Sequence, residues 1–289
     1  MCAILSPALL NSFVHMALRV LRRSLVFLVL TVLTQVGGVV YLLHTLSYGW
    51  WGRTVANKNK RKVAKVASFI VVYLVAIFAI VPLIASMCGR VRMPMFSTHI
   101  RPVTVWTYLF CRNYVRPPLR TVAYNVYEEM QVQYPGTVVN YLDAGFPFLN
   151  GFPLLPHLSH NDGRKLDLSF YYDDSRTGLP TNHVPSFIGY GICEEPRPGE
   201  VNTAEGCYQK GYRQYSILRY VVPQWSKQHF TLNEERTRSL VSFFAEQPGI
   251  GKIFIEPHLK TRLGLASSKI RFHGCRAVRH DDHLHVQLR

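Results

Sequence analysis

The stretch His280-Asp-Asp-His-Leu-His-Val-Gln-Leu288 decides how this chain is read. Its last six residues, His283 to Leu288, have the character of a β-strand. On a strand His283 and His285 are two apart and point to the same face. Working back from it, Leu166 to Tyr172 reads as a second strand that begins near Asp167, with Leu168 and Phe170 turned to the opposite side, toward a core. Val138-Val-Asn-Tyr-Leu142, bounded by Gly136 and Gly145, and Lys252-Ile-Phe-Ile-Glu256 read as further strands. Thr121 to Gln133 has helical character. Leu232 to Glu246 reads as a helix capped by Asn233 with Leu240, Val241 and Phe244 as its apolar stripe, and Pro257 to Leu263 as a short one. Residues 173–214 are rich in Pro, Gly and polar side chains and read as one long loop. Strands and helices without regular alternation predict an α+β fold, with a mainly antiparallel sheet and flanking helices.

The first 95 residues are of another kind. They hold 11 of the 33 Lys and Arg residues and no Asp or Glu, so most of the net charge of +16 belongs to them. That distribution argues against nucleic-acid binding, which needs basic residues gathered on a folded face. Two 23-residue runs carry no charge, Ser24 to Leu46 and Val66 to Cys88, and each is long enough to cross a bilayer as a helix. The expectation is a membrane anchor over 1–95 with transmembrane helices at 24–46 and 66–88. A linker and docking segment follows over 96–134, punctuated by prolines, and a folded domain over 135–289. The loop between the runs carries Arg53, Lys58, Lys60, Arg61, Lys62 and Lys65 against Arg19, Arg22 and Arg23 before the first, which puts that loop in the cytoplasm and both ends outside. Arg22-Arg23-Ser-Leu-Val-Phe-Leu reads as flanking charge on a membrane helix rather than an export signal. The protein is therefore expected to be multi-pass, with its C-terminal part outside the cytoplasm. An oxidising compartment permits disulfides among Cys111, Cys193, Cys207 and Cys275. The expected pair is Cys193 with Cys207, bracketing a polar loop.

Five of the 12 histidines fall in two short stretches, His157-Leu-Ser-His160 and His280-Asp-Asp-His283-Leu-His285. The first runs on to Asp167. Two imidazoles and one carboxylate make three ligands for zinc and leave a fourth position for water or substrate. One histidine of the His283/His285 pair can bind metal while the other reaches the substrate. His160 suits a loop leading into the strand near Leu166. Asp281 and Asp282 are either partners that orient histidines or plain turn residues, and Arg164 and Lys165 either meet substrate carboxylates or are solvated.

At these residues the chain resembles the penicillin-insensitive murein endopeptidases, of the wider superfamily of lysostaphin, D-Ala-D-Ala carboxypeptidases and the hedgehog signalling domain. The resemblance lies in H-x-S-H-x6-D, His157 to Asp167, and in H-D-D-H-x-H-V-x-L, His280 to Leu288. It covers about residues 135–289 and does not extend to the membrane runs; the Pro/Gly loop between the motifs departs from the family pattern. The resemblance implies that His160, Asp167 and His285 bind one Zn2+, that His283 is the catalytic histidine, and that His157 and His280 are further active-site histidines. It implies a periplasmic zinc peptidase, anchored in the inner membrane and its lipid bilayer, that cuts peptide cross-links between peptidoglycan stem peptides. The alternative on the same scaffold is a non-catalytic, zinc-containing module that binds the cell wall. No H-E-x-x-H occurs, so there is no glutamate base of the usual metalloprotease kind, and His283 is the expected proton acceptor. His280 is the expected oxyanion stabiliser.

Overall fold

The computed structural model describes residues 7–289. It divides into two compact units, residues 1–81 and 82–289. In the first, the expected span Ser24–Leu46 is not one helix. A helix over Pro7–Thr34 ends, and another begins at Gly37 and runs to Thr45. Gln35 between them has a left-handed backbone, φ 64°. The second helix doubles back onto the first: a Cβ on Gly38 would lie 1.9 Å from the Thr31 hydroxyl oxygen, so only a bare backbone fits there. Hydropathy alone does not register such a break. Among the described residues one helix is long and apolar enough to cross a membrane, Lys58–Met87, which contains the second expected span over most of its length. Asn57 caps it, accepting hydrogen bonds from the backbone N–H groups of Asn59 and Lys60. A π-helical turn at Ala76–Ile80 interrupts its regular hydrogen bonding.

The second unit is α+β. Its main sheet has six strands: β1 (Ile100–Pro102), β2 (Val139–Tyr141), β3 (Lys165–Ser169), β4 (Ile250–Phe254), β5 (Ile270–Arg271) and β6 (His283–Leu288). The spatial order is β5-β4-β6-β3-β2-β1. The three central pairings are antiparallel, but β5 with β4 and β2 with β1 are parallel, so the sheet is mixed rather than simply antiparallel. The segment 96–134, expected as a linker, supplies the edge strand β1 and the helix α1 (Pro117–Gln133). Leu119, Val122, Ala123, Val126 and Met130 of α1 recur at helical spacing and are all buried in the core. They pack with Leu240, Val241 and Phe244 of α2 (Glu234–Glu246) against Leu166, Leu168, Leu284 and Val286 of the sheet. Burying each such side chain contributes about 1.5–3 kcal/mol. Asn233 caps α2 as expected, accepting from the backbone N–H of Arg236.

Both helices thus claim one face of β3 and β6, and the period of two sends the alternate residues to the other face. The register puts His285 directly opposite Asp167 and His283 opposite Ser169, while Leu284 faces Leu168 and Val286 faces Leu166. A six-residue strand at the C-terminal end therefore carries the core on one side and the histidines on the other. The expected loop over 173–214 is largely irregular but contains a helix at Thr203–Gln209. That helix carries Cys207, which is bonded to Cys275 across 68 residues, not to Cys193. Cys193 is buried and outside any disulfide. Closeness in sequence favoured Cys193, whereas the fold brings the 274–278 loop to Cys207, with Cα atoms 5.3 Å apart.

Candidate metal centre

Three side chains from separate elements meet behind the strand face. His160 stands in the loop before β3, Asp167 in the middle of β3 and His285 in β6, all nearly fully buried. His160 Nε2 lies 3.1 Å from His285 Nδ1 and 3.1 Å from Asp167 Oδ1, and His285 Nδ1 lies 2.8 Å from that same oxygen. Ligand bonds of about 2.0–2.1 Å at tetrahedral angles separate donor atoms by about 3.3 Å. The triangle is of that size, and the group is able to hold one metal ion.

The surroundings prepare these donors. His160 Nδ1 donates to the carbonyl of Ala144 at 2.5 Å, which leaves the Nε2 lone pair facing the triangle. Burial, helped by His160 and His283, lowers the pKa of His285 to about 4, so its imidazole is neutral as a ligand must be. Burial on its own would raise the pKa of Asp167, but the surrounding imidazoles of His160, His283 and His285 outweigh it and hold the carboxyl well below the ordinary range. Nε2 of His157, His283 and His285 are buried without a hydrogen-bond partner. Such orphaned nitrogens around a cluster call for a group that the protein itself does not provide.

The remaining expected site residues surround the triangle. His283 Nδ1 is hydrogen-bonded to Asp282, and its Nε2 stands 3.7 Å from Asp167 Oδ2. Burial works to lower the pKa of His283, but Asp282 and Asp167 overcome it and raise it to about 9. Asp282 is thus a partner that orients a catalytic candidate. Asp281 instead pairs with Arg279. His280, its ring centre 4.9 Å from that of His283, is driven well below the ordinary value by burial and then by His283 and His285. It is a neutral N–H donor, not a cation. His157 Nδ1 is shared between Asp143 Oδ2 at 3.1 Å and Asp167 Oδ2 at 3.4 Å. Lys165 pairs with Asp162 at 2.7 Å. The triangle, His157, His280 and His283 line one cleft of about 320 Å³, together with Gln214, Ile217, His273 and Arg276.

Four residues near the centre escape the motif reading. Asp143 follows β2, and its carboxylate is held by Arg112 at 2.8 Å. Tyr190 comes from the long loop and donates to Asp167 Oδ2 at 2.9 Å. Burial, then Asp143 and Asp167, push the Tyr190 phenol well above its ordinary value, so it keeps its proton. His273 packs on Phe254 with ring centres 4.2 Å apart and opens onto the cleft. Asp143 had a usable signal, a lone acid directly after a strand; Arg112, Tyr190 and His273 had none. His258 is buried and bound to the carbonyl of Glu194 at 2.7 Å. No protein-family model matches the chain, and no curated protein matches it in sequence.

Proposed function

We propose that this chain is a membrane-anchored zinc peptidase of the murein endopeptidase type, which hydrolyses peptide cross-links of peptidoglycan outside the cytoplasm. The observation that carries the reading is the triangle of His160 Nε2, Asp167 Oδ1 and His285 Nδ1 at 2.8–3.1 Å, with His283 beside it in an open cleft. The donor set, two imidazoles and one carboxylate, favours zinc and leaves a position for substrate or water. Zinc bound there supplies a Lewis acid that polarises the scissile carbonyl and acidifies water at neutral pH.

The protein's own groups do the rest. His283 is fixed through Nδ1 by Asp282 and, with its pKa raised to about 9, holds a proton on its unpartnered Nε2 at neutral pH, so it is the group that gives a proton to the leaving amine, and the expected role of proton acceptor is open to it only as the pH rises toward that value. His280, kept neutral, offers an N–H to the oxyanion. His157 is oriented through Nδ1 by Asp143, and the unpartnered Nε2 is left to accept a hydrogen bond from the peptide. The apolar exterior of the N-terminal unit supports the bilayer as its setting. Incubating the purified full chain in detergent with cross-linked muropeptides, with and without zinc, tests the proposal. Zinc-dependent appearance of uncross-linked products by mass spectrometry is expected. Bound zinc without any hydrolysis would favour the non-catalytic wall-binding alternative.

A further inference from the structure

Tyr190 reaches the centre on a loop shaped to deliver it. Gly189 and Gly191 flank it, both with left-handed backbones, φ 86° and 84°. A Cβ on Gly189 would lie 2.0 Å from Leu142 Cδ2, and one on Gly191 would lie 2.7 Å from Val222 Cγ2 and 2.8 Å from the carbonyl of Leu218. Neither position accepts a larger residue without displacing packed neighbours. Ser186 Oγ donates to the Tyr190 carbonyl at 2.6 Å and closes the turn.

The hydrogen bonds of the phenol follow from simple valence. The backbone N–H of Asp143 can only donate, and it donates to Tyr190 Oη at 3.0 Å. The single hydroxyl proton therefore goes to Asp167 Oδ2, 2.9 Å away. That engages the oxygen of Asp167 turned away from the triangle, while Oδ1 faces both imidazole nitrogens. We propose that Tyr190 is a positioning residue of the metal centre: its phenol holds Asp167 Oδ2 so that the carboxylate offers the ion one oxygen only. With both oxygens turned inward, the carboxylate would fill the position that a substrate needs. The same loop steadies the second histidine of the strand pair, because Gly191 N–H donates to Asp282 Oδ2 at 2.5 Å, and Asp282 in turn holds His283. One loop, from a stretch with no motif, thus sets the angle of a ligand and of the proton carrier.

The inference rests on the reading that His160, Asp167 and His285 hold a metal ion, and is independent of whether the chain hydrolyses anything. Its test is a comparison of the full chain with Tyr190→Phe in detergent, reading zinc affinity by chelator competition and the d–d absorption of the Co2+-loaded protein. Loss of an outer partner of a ligand typically lowers metal affinity by ~10–100-fold, and that loss is expected for Tyr190→Phe. The cobalt bands should weaken as Asp167 turns its second oxygen to the metal and coordination rises from four to five. Equal affinity and an unchanged spectrum in a metal-binding pair of proteins would overturn the role of Tyr190 alone. Failure of the unsubstituted protein to bind zinc or cobalt would overturn the metal centre as well. A Tyr190→Phe chain that no longer melts cooperatively with chelator present would also overturn it, since the phenol would then serve packing.

Discussion

In the N-terminal unit Phe13, Leu21 and Leu46 stand exposed, Leu46 by 81% of its surface, while the hydroxyls of Thr31 and Thr34 hide in hydrogen bonds to carbonyls of their own helix four residues back. The C-terminal unit does the reverse. The aliphatic residues of β3 and β6 are buried, and beside them lie buried His160, Asp167, His283 and His285, whose partners are up to 125 residues away. The first unit satisfies these threonine hydroxyls within their own helix and leaves apolar surface outside, the arrangement that a helix in lipid requires. The second pays for a polar interior with long-range contacts, each depending on the whole fold. A change in the first unit should therefore stay local, while a change at the centre of the second should remove a function outright.

The largest break of that contrast is expected from His160→Ala or His285→Ala. Either leaves two ligands of three, and both bound metal, measured by elemental analysis, and muropeptide hydrolysis should fall to background. His283→Ala should separate the two properties, keeping stoichiometric zinc while hydrolysis drops by ~10²–10⁴-fold; full activity in this variant would remove His283 as proton carrier. Cys207→Ala should lower the stability of the C-terminal unit by about 2–5 kcal/mol, read as the denaturant midpoint, because the closed loop spans 68 residues. Gly38→Val sharpens the comparison from the other side. Its added methyls cannot fit against Thr31, so proteolysis within the N-terminal unit should rise while zinc affinity of the full chain is unchanged. The smallest effect is expected at the Glu200–Arg262 pair. Arg262 holds the Glu200 carboxyl down to about 2, so the pair's contribution is complete above the ordinary glutamate value and fades as pH falls toward that figure. A Glu200→Gln chain should melt slightly lower than the parent at neutral pH and alongside it near pH 2.

The histidine constellation was legible because each piece of it is local. His283 and His285 sit two apart on a strand that begins and ends where expected, and His160 lies seven residues before Asp167. Likewise the cap at Asn233 and the apolar stripe of α2 are short-range features. Two other features were not legible, for one physical reason. The partner of Cys207 and the approach of Tyr190 to Asp167 depend on which distant backbones meet, and no spacing in one stretch encodes that. The edge strand Ile100–Pro102 was hidden too, since three residues ending on a proline carry no period to read. Its parallel pairing with Val139–Tyr141 is what makes the sheet mixed at that edge.

The direct opposition of His285 and Asp167 across the β3–β6 ladder has a consequence for folding. A misaligned pairing of these strands, displaced by one position, would set Leu284 against Asp167 and turn the imidazole to the wrong side, since every side chain flips with each step. Such a chain could still bury apolar surface, yet it would have nowhere to seat the ion. Free metal during maturation would then draw the population toward the correct alignment by mass action, acting as a proofreader of strand pairing before any substrate arrives.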